Sequence, residues 1–218
     1  MQTELPVIFE DNHLLVVNKP AGMLTQPDDT GQPSMEELAK QWLKVKYNKP
    51  GNAFIGTVHR LDKPVSGVVI FAKTSKALSR LNASMRAKMT HKVYYALVEG
   101  GLPAKEGMLE NYLAHDDFRS RVVLKNDPDA KLARLKYRVV EKRGVKTLVE
   151  VELETGRYHQ IRVQLANVGC PICGDTKYGS KMAFHGRVAL HHARLRIPHP
   201  ITGMVCTFEA KLPEEFSA

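Results

Sequence analysis

Residues 67 to 72, GVVIFA, form an unbroken apolar run of strand length. Such a run predicts a strand buried on both faces. Upstream, PVIFEDNHLLVVN (6 to 18) predicts two short strands around a polar turn at Asp11-Asn12. Residues 19 to 33 are rich in Pro, Gly and Asp and predict a loop. Ser34 then precedes a helical pattern, with Glu37 at the capping-box spacing. Leu38 and Trp42 share one face of that helix, and its far end is basic, with Lys40, Lys44, Lys46 and Lys49. From Thr74, TSKALSRLNASMRAK predicts a second helix with Leu78, Leu81 and Met85 inward and Lys76, Arg80 and Arg86 toward solvent.

The pattern then changes period. HKVYYALVEG (91 to 100) is rich in aromatic and β-branched residues and predicts a strand. About four more strands are expected from 108 to 154. The last, KTLVEVELE, alternates Leu148, Glu150, Glu152 and Glu154 against Thr147, Val149, Val151 and Leu153. One helix follows over 159 to 168, stopped by Gly169 with Pro171 behind it. Roughly two or three strands close the chain. Many strands, few helices and short connections predict an α+β fold around one mainly antiparallel sheet.

Length changes this picture little. The 218 residues suit one domain, or one domain with two lobes, and a hydrophobic fraction of 43% allows a full core. Charge adds more: 32 Lys and Arg against 23 Asp and Glu give +9, an excess that suits a polyanionic partner. The three cysteines, Cys170, Cys173 and Cys206, form no disulfide framework and suggest a reducing compartment. The N-terminus lacks the basic and apolar regions of a signal peptide, and no apolar run is long enough to span a bilayer. A soluble cytoplasmic protein is expected.

Several chemistries lack their usual supports. There is no P-loop, no G-x-G-x-x-G turn and no H-E-x-x-H, and Ser66 has no nucleophile elbow. Cys170-Pro171-Ile172-Cys173 could form a zinc site with Cys206 and His191 or His192, but one Cys-x-x-Cys is weak support and no metal is expected. ETGRYHQIRVQLANVG (154 to 169) is denser, with Arg157, His159, Gln160 and Arg162 around a turn and a helix start that favours anions. Tyr94 and Tyr95 face opposite ways on their strand, so one packs inward and the other could stack on a base. In HRLDKPVSG (59 to 67), Asp62 stands among cations that favour its ionised form. The residues alone leave two readings of it: a structural Arg–Asp pair, or a catalytic carboxylate acting as nucleophile or base.

Taken together, these stretches resemble the RluA-type pseudouridine synthases. VVNKPAG (16 to 22), HRLDKPVSG and HKVYYALV (91 to 98) look like that family's first, catalytic and K-x-Y-x-A motifs. TGRYHQIRVQL (155 to 165) and GCPICGDTKYG (169 to 179) are similar to its TGR-x-HQ-[IL]-R and G-x-P-[IL]-x-GD-x-x-YG signatures, and LHHARL and PHP to its closing segment. The resemblance covers nearly the whole chain, in family order. It implies a single catalytic domain over 1–218, a long mixed, mainly antiparallel sheet in two lobes with a central cleft, and an isomerase that converts uridine in ribosomal or transfer RNA without cofactor or metal. It makes Asp62 the catalytic aspartate, Tyr94 the tyrosine that packs on the target base, and Arg162 the arginine that pairs with the aspartate. It puts Arg60, His59, Asn18, Lys19, Lys92 and Arg157 on the RNA side of the cleft.

The family prior is a monomer. An S4 domain, frequent in the family, is not expected ahead of a first motif near residue 16. RNA contact is therefore expected from residues 40 to 49, 73 to 88 and 119 to 125. Three positions depart from the family pattern: Val65 for Thr, Gln164 for His and His192 for Ala.

Overall fold

The computed structural model describes residues 5–116 and 118–217. The chain divides into two compact units, one made of residues up to 91 with 192–211, the other of 92–191 with the segment from 212.

The first unit opens with β1 (Val7–Glu10) and β2 (Leu14–Lys19). Asp11 makes the turn between them, its Oδ1 accepting the backbone N–H groups of His13 and Leu14, each at 2.7 Å. β2 pairs antiparallel with β4 (Ser66–Ala72), and β3 (Gly56–Thr57) also pairs with β4. All seven residues of β4 are buried, as its apolar run predicts. On its other side lies β10 (Leu190–Pro198), which pairs antiparallel with β11 (Val205–Glu209). The approach of β10 to β4 requires glycine: Gly67 has φ +120°, and a Cβ there would stand 2.3 Å from the carbonyl oxygen of His192.

Two capped helices belong to this unit. α1 (Met35–Lys46) starts at Ser34 with the expected reciprocal capping box to Glu37. Its buried stripe is Met35, Ala39 and Leu43, while Leu38 and Trp42 lie half-buried at its edges. α2 (Ser75–Arg86) is capped by Thr74 and buries Ala77 and Leu81, with Leu78 and Met85 partly covered. The core joins Leu14, Val16, Val68, Ile70, Leu81, Leu195, Ile197 and Phe208. Glu10 locks the rim, accepting from Lys46 (2.8 Å), Tyr47 (2.6 Å) and Lys73. Burial opposes its ionisation, but these three donors outweigh that and bring its pKa down to about 2.

The second unit is one antiparallel sheet in the order β5 (His91–Glu99), β9 (Lys146–Leu153), β8 (Lys131–Arg143), β6 (Glu106–His115), β7 (Ser120–Val123). Four strands thus occupy the stretch where about four are expected. α3 (Gln160–Asn167) packs on this sheet, and Leu113, Ala133 and Val163 form a core with Val122 and Tyr178. Gly169, at φ +78°, ends the helix. Gln164, at the position where the family often has His, is fully buried and donates to the carbonyl of Leu109 (3.2 Å) and the Asn111 side chain (2.9 Å).

The other sheet face is charged. Register places Glu106 opposite Arg138 opposite Glu150, and Met108 opposite Lys136 opposite Glu152. Ion pairs Arg134–Glu110, Lys136–Glu154 and Arg138–Glu150 cross it. The α+β class follows the sequence expectation, and among the described residues no helix is long and apolar enough to cross a membrane.

Candidate active site

The HRLDKPVSG loop belongs to the first unit and is held by its backbone. The Thr25 hydroxyl donates to the carbonyl of Leu61 (2.8 Å) and accepts the Leu61 N–H (3.1 Å), so one side chain grips both sides of the residue before Asp62. On the far side, the N–H of Gly22 donates to the Lys63 carbonyl at 2.7 Å. The N–H of Val65 closes a turn onto the carbonyl of Asp62 at 3.0 Å. His59 accepts the N–H of Ile70 through Nε2 (3.3 Å), tying the loop's start to β4. Asp62 itself is half-buried and Arg60 is exposed.

Lys19 is the unusual group. It is fully buried at the end of β2, and its Nζ donates to the carbonyls of Met23 (2.6 Å), Pro20 (3.1 Å) and Lys63 (3.2 Å). Burial pushes its pKa down to about 7, and the nearby Asp62 carboxylate offsets only part of that. Lys19 thus ties the VVNKPAG motif to the loop that carries Asp62. The neighbouring Asn18, half-buried, lies opposite Val68 of β4.

Tyr94, Lys92, Arg157 and Arg162 belong to the second unit. Tyr94 is the inward tyrosine of its pair, 7% exposed, while the Tyr95 hydroxyl donates to Glu150 at 3.1 Å. Half-buried Lys92 has its ammonium pKa lowered by burial. Arg157 is exposed but not wholly available, since its Nε donates to the Leu132 carbonyl at 3.0 Å. Arg162 is buried on α3 and held by Asp175 through two parallel bonds, Nε to Oδ2 at 2.6 Å and Nη2 to Oδ1 at 2.8 Å. Its guanidinium also lies over the Tyr178 ring, 5.2 Å from the centroid.

Asp175, Thr25 and Tyr178 are the residues that sequence reasoning missed. A signal existed for the first: Asp175 is the only acid between Glu154 and Glu209, a stretch holding Arg157, Arg162, Arg187, Arg194 and Arg196. Cys170 and Cys173 are both buried beside the α3 end, and burial raises both thiols, Cys173 to about 11. Among the described residues no group of three or more His, Cys, Asp and Glu side chains is placed to hold a metal ion.

The first unit thus offers a loop clamped to present an aspartate, and the second a buried arginine fixed by a carboxylate and an inward tyrosine. Comparison with known proteins narrows the class. Residues 13–167 match the family described as RNA pseudouridylate synthase, and the chain belongs to that family of RNA isomerases. It is 36% identical to an uncharacterized RNA pseudouridine synthase of Bacillus subtilis (YhcT), over 97% of this chain and 70% of the relative. It is also 36% identical to the ribosomal large subunit pseudouridine synthase D of Zymomonas mobilis, over 97% and 70%, and to the dual-specificity RNA pseudouridine synthase RluA of Vibrio vulnificus, over 89% and 78%. The fold is shared with human RNA pseudouridylate synthase domain containing 4, at TM-score 0.83 and 23% identity over 97% of this chain and 90% of that one.

Proposed function

We propose that Asp62 is the catalytic carboxylate of this isomerase, that Tyr94 packs on the target uracil, and that Arg162 steadies the Asp62 charge. The reaction breaks the bond from N1 of uracil to C1′ of ribose and forms one from C5 to C1′. The C5 hydrogen leaves as a proton and N1 gains one, so atoms and electrons balance without a redox partner. Asp62 either attacks the ribose or removes a ribose proton to give a glycal, and both routes need an oriented carboxylate. The cleaved uracil must turn over before it rejoins, and Tyr94 supplies a flat wall for it. The target base must leave its stack, which costs a few kcal/mol, and the exposed Arg60 beside Asp62 is suited to fill the space it leaves.

The observation that carries this reading is the two-sided grip of Thr25 and Lys19 on the Asp62 loop. A surface ion pair would not require it. The names of the relatives make large-subunit ribosomal RNA the first substrate to try and transfer RNA the second. The test is tritium release from RNA labelled at C5 of uracil, with unmodified transcripts of both classes. Wild type is expected to release tritium from one class, and Asp62→Asn to release none while still binding RNA. Release by Asp62→Asn would refute the assignment.

A further inference from the structure

The second unit carries an aromatic patch that the chemistry above leaves unused. Tyr158 is 43% exposed, and its ring lies nearly flat on that of His159, with centroids 3.9 Å apart and planes 20° apart. The edge of His115 meets it at 5.7 Å. Phe118 is 73% exposed in the turn between β6 and β7, where Asp116 caps the N–H groups of Phe118 (3.0 Å) and Arg119 (2.8 Å). Lys177 donates to the Phe118 carbonyl at 2.8 Å, which brings a cation to the same turn.

The Tyr158 ring is fixed from beneath. Its carbonyl accepts the Ser120 hydroxyl at 2.5 Å. The Tyr178 hydroxyl accepts the Ser120 N–H at 2.8 Å and is hydrogen-bonded to His159 Nδ1, 2.9 Å away. Tyr178 in turn lies under the Arg162 guanidinium. A connected path of side chains therefore runs from an exposed flat ring to the arginine assigned to the reaction. A ring held in place before the ligand arrives loses little freedom when it binds. Cations at Arg119, Arg121 and Lys177 suit a phosphate backbone. Tyr158 also occupies the unspecified position of TGR-x-HQ, where a residue can set preference without altering the shared chemistry.

We propose that Tyr158, with Phe118 in the neighbouring turn, is a stacking platform for an unpaired base of the substrate RNA outside the target uridine. It is a binding residue that selects RNA conformation. The inference rests on the RNA-modifying reading above.

The direct probe is a single-tryptophan reporter, Trp42→Phe with Tyr158→Trp, titrated with an unmodified large-subunit ribosomal RNA transcript in an Asp62→Asn background. Binding is followed in parallel by anisotropy of the labelled RNA. Indole emission is expected to be quenched as the RNA saturates. In the otherwise native chain, Tyr158→Ala should weaken binding about tenfold, within the range for loss of one stacked base. The dependence of log K on log salt should keep its slope, and KM should rise while kcat holds. Tyr158→Phe should bind like wild type and guards against a folding defect. Unchanged emission at saturation would overturn the proposal, as would wild-type affinity of Tyr158→Ala or an equal loss in Tyr158→Phe. Because the quench needs no turnover, failure of the isomerase reading would leave it intact and is read separately by tritium release.

Discussion

Replacing Lys19 by methionine tests the site at its most constrained atom. The change keeps the stem and removes the ammonium that holds three carbonyls. In the folded protein Lys19 has its pKa lowered from 10.5 to about 7, so between those values the unfolded chain binds more protons than the folded one. By linkage, the wild type gains stability as pH rises through that window, and the gain is complete above the unfolded pKa. From pH 7 to pH 9.5 it amounts to about 3 kcal/mol, after allowing for half-protonation at the start. The methionine variant lacks this gain, and other groups titrate alike in both proteins. Urea unfolding followed by Trp42, the single tryptophan and in the same unit, gives both stabilities. The wild-type advantage should grow by about 3 kcal/mol across that interval. An advantage independent of pH would refute the reasoning, because it would mean that the ammonium titrates as if in water. Turnover should fall about 100-fold in the same variant, the scale of an ångström-sized displacement of a catalytic group.

Three further outcomes are expected. Asp175→Asn removes the carboxylate that orients buried Arg162, so it should cost about 3–5 kcal/mol, lower Tm by about 10 °C, and suppress tritium release; an unchanged Tm would show that the pair contributes nothing. Gly67→Ala combines a left-handed backbone with a Cβ set against the His192 carbonyl, and soluble yield and urea midpoint should both collapse; wild-type stability would show that β10 can move away. Lys44→Gln with Lys49→Gln should reduce the salt dependence of RNA binding by about 0.7–0.9 for each phosphate that is no longer neutralised. Lys40→Gln should change it less, since Lys40 already pairs with Glu36, and equal slopes for both variants would contradict that difference.

Much of this is legible in the chain. The all-buried β4, the capping box at Ser34 and the Gly169 helix stop are readable because each rests on local chemistry. The inward stripe of α1 differs from the expected one because large apolar residues dominate the pattern, whereas the small Ala39 is among the residues the helix buries. Lys19 is expected on the RNA side of the cleft, where basic residues usually go. No local pattern announces a lysine enclosed by three carbonyls, one of them 44 residues away. Thr25 is silent in the sequence for the same reason, its partner being 36 residues distant. The basic stretch of 40 to 49 is partly engaged within the protein, Lys40 on Glu36 and Lys46 on Glu10, and charge counting cannot see such pairing.

The charged face of the second unit bears on how an encounter begins. In the middle of this face, where β6, β8 and β9 lie side by side, Glu106, Glu110, Glu150, Glu152 and Glu154 stand with Arg134, Lys136 and Arg138, so this patch is net acidic on a chain whose total is +9. A molecule so polarised feels a torque as it nears a polyanion, within about 10 Å at ordinary ionic strength. The acidic patch is repelled and the cationic stretches are attracted before any atom touches. Orientation is thereby partly settled during approach, which raises the fraction of collisions that go on to bind and makes that fraction sensitive to salt even when the final contacts are not.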